Sequence, residues 1–209
     1  AAINALYQLA EQVGGAKELD PVLRHAGLSA LDLVGTVDAA VARLQAPSRE
    51  VRLQALLFLR RHESPELARF LNDGDALIRR EAIRAIYDTS VVDSPFGNWL
   101  ASLGSDAAEL PLLLQRRVVA ANYRGGSAEN ARNLVKLAGM DSLDPSVREA
   151  ALHGLRLWEK QIVTDPVLGL YRPLVDGDRS MAELGTFIQS ELKALLASNL
   201  PPNLASLGL

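Results

Sequence analysis

The sequence predicts an all-α fold, a right-handed superhelix of about four to six irregular helical hairpins. The main observation is a helix-forming phrase in which an apolar residue precedes Arg or Gln and further apolar positions follow. Its copies begin at Val51, Ile78, Leu114 and Val147. Recurrence at about 20 to 50 residues is typical of solenoids, because each unit buries its apolar face only against its neighbours.

Composition supports a helical core. Apolar residues make up 48% of the 209 residues and aromatic residues only 5%, so Ala, Leu and Val must supply most of the interior. A composition with so few aromatic residues favours close packing of helices over a β-sandwich, which is richer in β-branched and aromatic residues.

Charge and cysteine content exclude several kinds of partner and site. The net charge is −3, and the 22 cationic residues are 18 Arg and 4 Lys. Arginine in this proportion favours ion pairs with partly buried stems, and we expect no nucleic-acid partner. The absence of Cys excludes disulfides, thiolate zinc sites and covalent c-type haem within this chain. No apolar run approaches the roughly 18 residues of a membrane span.

The predicted units follow one another in a single domain of residues 1–198, and residues 199–209 are predicted to be a linker or tail. Each later unit pairs a shorter first helix with a second helix that carries the phrase. In the unit that contains Ile78, residues Ala82, Ile83 and Ile86 share its face at helical spacing. The approximate units are 1–35 (degenerate), 36–62, 63–90, 105–125, 127–160 and 165–198.

Capping residues mark the predicted helix starts. Ser64 followed by Pro65, and Asp144 followed by Pro145, place a side-chain acceptor before a proline at the first helical position. Asp165-Pro166 repeats this pattern and predicts a further short helix, followed by an amphipathic helix over residues 181–198.

A polar pair recurs with the repeat. An acid or serine in the turn lies four residues before an arginine, so it can cap its own helix and also accept from the arginine of its own or the adjoining unit. We predict a structural ladder on this basis, broken in the third unit by Pro111 and Gln115. Its members are Ser48 with Arg52, Asp75 with Arg79, and Asp144 with Arg148.

These segments resemble HEAT-type repeats, which are paired antiparallel helices with a turn acid and an apolar-Arg phrase in the second helix. Residues 47–59, 75–86 and 144–155 match that form, and residues 114–123 are a divergent member. Residues 75–174 also resemble, more narrowly, the HEAT-repeat region of large exported bacterial proteins of the planctomycete type. That similarity is carried by the runs 75–88 and 116–131, by Leu157-Trp158 and by residues 171–174.

The resemblance implies a HEAT-like α-α superhelix and an exported or periplasmic parent. Members of that group join a sugar-dehydrogenase-like β-propeller to HEAT repeats and a c-type cytochrome domain. Because this chain has no Cys and no propeller pattern, any redox activity would belong to other parts of the parent.

No catalytic, metal or cofactor motif accompanies the repeat. Residues 123–127 place two glycines before a helix, but the spacing is not that of a phosphate-binding loop, and we interpret them as a helix stop followed by a Ser127 cap. His25, His62 and His153 have no metal-ligand spacing. We therefore predict no catalytic residue, no bound metal and no cofactor.

The favoured hypothesis is a non-catalytic scaffold that contacts another protein or another domain of its parent through a concave face. Tyr123, Trp158 and Tyr171 fall near helix ends beside arginines, and Tyr, Trp and Arg often dominate protein interfaces. The same aromatic side chains can pack one repeat against the next, which is the favoured interpretation. The candidate interaction residues are Arg80, Asp88, Arg117, Asn122, Tyr123, Arg124, Asn130 and Trp158.

Two alternatives remain open. One is a ligand-binding or enzymatic array with a polar site in its concave face, in which Glu81, Asp88 and Glu149 would converge. The other is nucleic-acid binding, which requires the arginines to form one continuous stripe despite the net negative charge.

Overall fold

The protein is described by a computed structural model that covers residues 1–14, 21–95, 97–160, 162–174 and 179–198. Within these ranges the ordered elements are helices and there is no β-strand, so the all-α prediction is confirmed. The predicted linker or tail at 199–209 lies outside the described residues. No helix in the described ranges combines the length and the apolar character needed to cross a membrane.

The helices form two compact units, one comprising Ala1–Val91 and the other beginning at Val92. The first unit has five α-helices and a 3-10 helix, Pro65–Asn72, in its described part, and a second 3-10 helix, Ser90–Asp93, lies at the boundary. The α-helices are α1 (Ala2–Gly14), α2 (Pro21–Val34), α3 (Val37–Val41), α4 (Arg49–Arg61) and α5 (Ala76–Asp88).

In the first unit, α4 is the central helix. It packs against α1, α3, α5 and the 3-10 helix. Its apolar positions Leu56, Phe58 and Leu59 are almost completely buried, as are Ile83 and Ile86 of α5. Leu56 and Leu59, like Ile83 and Ile86, are three residues apart, so each pair lies on one face of its helix. This pattern is the reason these segments fold as packed helices.

The second unit is built around α7. This helix packs against α6, α8 and α9, and α8 packs in turn against α9 and α10. Two 3-10 helices, Gly104–Glu109 and Ala182–Leu184, precede α7 and α10. The α-helices are α6 (Gly97–Ala101), α7 (Leu112–Gly125), α8 (Ala128–Gly139), α9 (Pro145–Arg156) and α10 (Gly185–Ala197).

Capping fixes the starts of the helices that carry the repeat. Ser48 Oγ accepts from the Val51 amide at the start of α4, and Asp75 accepts from the Leu77 amide, at 2.8 Å, at the start of α5. Asp144 caps α9 in the same way. Each cap satisfies a backbone N–H that the first helical turn leaves unpaired.

The link between α7 and α8 behaves as predicted. Gly126 has φ +70°, a left-handed conformation that glycine adopts without a Cβ penalty, and its amide donates to Asn122 O to end α7. Ser127 then forms a capping box with Asn130. Residues 123–127 are therefore a helix stop followed by a helix start.

The prediction of a short helix that starts at Asp165-Pro166 was wrong. Residues 162–174, here called the strap, reverse direction around Gly169, which has φ +67°. Thr164 and Tyr171 form an isolated antiparallel bridge across this turn. The Asp165 carboxylate accepts from the Val167 and Leu168 amides, both at 2.9 Å, and so stabilises a turn instead of a helix.

Candidate functional site

The ladder arginines bind the turns beside their helices, and Arg52 of α4 also reaches Asp73 in the turn before the following helix, α5. Arg52 forms a two-pronged pair with Asp73, with N–O distances of 2.8 and 3.2 Å, and also donates to the carbonyl oxygen of Ala46 at 2.7 Å. Both side chains are largely buried. A planar guanidinium that meets a carboxylate in this way forms one of the stronger polar contacts in proteins.

Arg79 and Arg148 repeat the contact to backbone. Arg79 Nη1 donates to Asp73 O at 2.6 Å, and Arg148 Nε donates to Ala138 O at 2.9 Å. Arg148 also pairs with Asp141, at 2.8 Å. The acidic partners of Arg52 and Arg148 are therefore Asp73 and Asp141. The predicted partners Ser48 and Asp144 instead cap α4 and α9.

Five of the eight candidate interaction residues lie in the interior of the second unit. None of them exposes more than 8% of its surface. The burial of Tyr123 and Trp158 agrees with their interpretation as residues that pack one repeat against the next, whereas Tyr171 is exposed. The five are Asn122, Tyr123, Arg124, Asn130 and Trp158.

The two asparagines form a buried hydrogen-bonded pair. Asn122 Nδ2 donates to the carbonyls of Ala101 and Val118, at 3.1 and 2.9 Å, and Asn130 Nδ2 donates to Asn122 Oδ1 at 3.4 Å. Asn130 Oδ1 accepts from Ser127. These bonds satisfy buried polar groups and join α7 to α6 and α8, which is a structural role.

The remaining three candidates are more exposed. Arg80 lies on the surface of α5, Asp88 pairs with Arg60 at 3.5 Å within the first unit, and Arg117 donates to the carbonyl of Leu113 at 3.0 Å. Glu81, proposed as part of a polar site, pairs with Arg84 on its own helix.

The second unit contains an open groove between α7 and α9, with a volume of about 440 Å³. The two helices run side by side in the same direction, since Arg116 reaches Ser146 near their starts and Tyr123 reaches Leu157 near their ends. We call this feature the α7–α9 groove.

The groove is polar at one end and apolar at the other. Near the helix starts it is lined by Arg116, Ser146 and Glu149, and His153 lines it further along α9. Gly154 contributes no side chain to the floor, which deepens the groove at this point. The apolar end is lined by Leu157, Ile162, Pro166 and Val167.

The positive charge at the polar end is already compensated. Arg116 Nη2 donates to Ser146 Oγ at 3.2 Å, and Ser146 Oγ donates to Asp144 at 2.6 Å. These Ser146 hydrogen bonds, and to a lesser extent the charge of Arg116, lower the pKa of the Asp144 carboxyl. Glu149 and His153 are exposed in the same region.

An aromatic cluster supports the apolar end from below. Tyr123 and Trp158 meet edge to face with centroids 6.4 Å apart, and the Arg179 guanidinium lies 5.2 Å from each ring. Tyr123 OH donates to the carbonyl of Lys160 at 2.8 Å. Burial raises the pKa of the Tyr123 phenol, and the nearby Arg179 charge opposes that shift. The cluster fixes the ring that forms one side of the groove.

Buried ion pairs hold the strap beside the groove. Arg124 pairs with Asp93 at 2.7 Å and lies 3.8 Å from Asp165, and Arg172 lies within 3.6 Å of both acids. The side chains of Arg124 and Asp165 are essentially excluded from solvent. Two arginines and two aspartates therefore balance one another where α7 meets the strap, and Pro166 and Val167 are placed against α9 as a result.

No group of three or more His, Asp or Glu side chains in the described ranges is arranged to hold a metal ion. Neither the family models, nor the curated proteins, nor the solved structures that we compared with this chain gave a match.

Several residues that shape this site escape the sequence analysis. Asp73, Asp93 and Asp165 are partners of buried arginines, yet each lies in a turn where an acid is usually read as a cap. Gly154 interrupts an otherwise regular helical pattern, which was a usable signal, because a glycine inside a helix often marks close packing or a binding surface.

Proposed function

We propose that this chain is a non-catalytic helical-repeat scaffold of HEAT-like form, a right-handed superhelix that contacts another protein or another domain of its parent. The observation that carries the proposal is the α7–α9 groove, an open and mainly apolar trough along two parallel second helices. Grooves between helices are common binding positions, and this volume falls within the usual range of about 300–1,000 Å³.

The groove chemistry supports binding without catalysis. A serine nucleophile needs a base within hydrogen-bonding reach. Among the described residues, Ser146 Oγ donates only to Asp144, whose lowered pKa makes its carboxylate a weak base, and it also accepts from the Arg116 guanidinium. His153 lies two turns further along α9.

We also propose that the parent is an exported, multidomain protein of the sugar-oxidising and haem-containing kind. This part rests on the resemblance of residues 75–174 to the HEAT-repeat region of such proteins. A chain that joins domains would need a contact surface of the kind that the groove supplies.

Photocrosslinking tests the scaffold. A benzophenone amino acid at Ala150, on the groove, is expected to crosslink in cells to another protein or to a sequence outside residues 1–209. The same amino acid at Lys136, an exposed position on α8 that does not line the groove, is the matched control. If Ala150 gives no crosslink beyond the chain itself, or gives the same products as Lys136, the groove is not a contact surface.

A further inference from the structure

We propose that the occupant of the α7–α9 groove is a polypeptide segment that carries an apolar side chain next to a lysine or arginine. This inference rests on the proposed function, since it names the chemistry of the partner. Two independent features of the groove lead to it. One is the shape of its apolar end, and the other is the uncompensated negative charge of Glu149 at its polar end.

The apolar end is shaped for a branched or aromatic side chain. Gly154 leaves the floor open, and Leu157, Ile162 and Val167 surround it. The buried Tyr123 and Trp158 rings beneath this end, and the ion pairs of the strap beside it, keep it from collapsing.

The charge at the polar end favours a cation. Arg116 is engaged by Ser146 and lies close to Asp144, so its charge is balanced within the chain. Glu149 is exposed on the adjacent turn of α9, and no ion pair to it is found among the described residues. A basic residue on the partner would therefore meet an available carboxylate, whereas an acidic residue would meet repulsion.

The surroundings favour a polypeptide over a small molecule. The groove is open to solvent, and the strap that forms its wall also exposes Val163, Leu170 and Tyr171 by 47%, 60% and 80% of their surfaces. The strap therefore presents apolar side chains in addition to those that line the groove, and exposed apolar surface of this kind often marks an interface between proteins.

Selection of random peptides displayed on phage, with the whole chain as bait, tests the proposal. We expect enriched peptides to share an apolar residue beside Lys or Arg, and their synthetic, fluorescently labelled forms to bind in fluorescence polarisation. Binding should fall about tenfold or more in Glu149→Lys and in Ala150→Trp. The control Lys136→Trp should bind normally, and circular dichroism of all three variants establishes that they remain folded.

Charge exchange gives the decisive comparison. A peptide in which the basic residue is replaced by Glu should regain binding to Glu149→Lys. If the enriched peptides lose binding in Ala150→Trp but are acidic or uncharged, the proposed chemistry of the partner is wrong. The proposal of a scaffold would still stand in that case, provided that Ala150 crosslinks to a partner. Enriched peptides that bind Ala150→Trp and the unchanged chain with equal affinity would overturn the inference altogether.

Discussion

Arg124 and Asp165 bring opposite charges into the interior of the second unit, where the cost of removing either partner is large. Desolvation opposes burial of both groups, and the pair persists because each charge faces the other and because Arg124 also donates to the Arg172 and Pro173 carbonyls. The charge pair fixes the position of the strap, and the strap in turn supplies Pro166 and Val167 to the lining of the groove.

Arg124→Met should destabilise the protein by about 3 kcal/mol, the lower end of the range for breaking a buried pair, since Arg172 remains near both acids. Urea unfolding measures the change. Arg69→Met removes an exposed ion pair within one helical turn and should cost no more than about 0.5 kcal/mol. Similar losses in the two variants would show that the buried pairs do not stabilise the strap.

The buried phenol of Tyr7 gives a pH-dependent contribution. Burial raises the pKa of Tyr7 to about 12, and the Arg43 guanidinium 4.1 Å from its ring centre opposes that shift. Because the folded pKa lies above the unfolded value of about 10, the neutral phenol stabilises the fold below pH 10, and this stability is lost as pH rises towards 12.

In Tyr7→Phe, the free energy of unfolding should therefore fall less steeply between about pH 10 and 12 than in the unchanged chain. Chemical unfolding at several pH values measures the slope, which is independent of any constant loss from the substitution. Tyr171→Phe, at an exposed ring, is the control. An unchanged slope in Tyr7→Phe would contradict the assignment of this phenol.

At the scale of elements, periodicity and capping were sufficient to predict the helices that carry the repeat. Apolar spacing and local caps act within a few residues, so α4, α5 and α9 could be read from the sequence. The strap could not, because Asp165-Pro166 is locally a good helix start. One oxygen of its carboxylate accepts from local amides in a turn, and the other faces Arg124 and Arg172, of which Arg124 is distant in the chain. The groove depends on where that strap packs.

Two helical glycines should respond oppositely to a methyl group. A Cβ at Gly154 would lie 3.5 Å from Tyr123 and 3.6 Å from Leu134, which is ordinary contact, so Gly154→Ala should stabilise α9 by about 0.5–1 kcal/mol. A Cβ at Gly125 would lie 2.9 Å from Asn130 Cγ, whose side chain is fixed by the capping box. Gly125→Ala should cost about 1–3 kcal/mol.

Thermal unfolding of the two glycine variants gives the measurement. A rise in melting temperature for Gly154→Ala together with a fall for Gly125→Ala is the expected result. Equal shifts of the same sign would mean that helix propensity alone, and not the packing between α7, α8 and α9, determines the response.

At the scale of the whole molecule, the arginines contribute more to ion pairs within the protein than to binding of anionic partners. Many of the arginines in the described ranges pair with acids of the same compact unit, as Arg24 does with Glu50 and Arg60 with Asp88. The net charge of −3 points the same way. A polyanion would find few uncompensated cations on such a surface.

We therefore expect no salt-dependent binding of duplex DNA or single-stranded RNA. An electrophoretic mobility assay at low ionic strength, repeated with added salt, measures this. A basic DNA-binding domain run in parallel shows that the assay detects such binding. A shift that disappears with salt would contradict the expectation, since release of counterions from phosphates produces that dependence.

The arginine contacts in the turns have an evolutionary consequence. Arg52, Arg79 and Arg148 each donate to a main-chain carbonyl, and that acceptor exists whichever amino acid occupies the position. Mutation can therefore alter the turn residues freely without removing the hydrogen bond. Related chains should keep the arginine while the turns around it diverge, so the arginine, and not the acid, is the position by which distant members could be aligned.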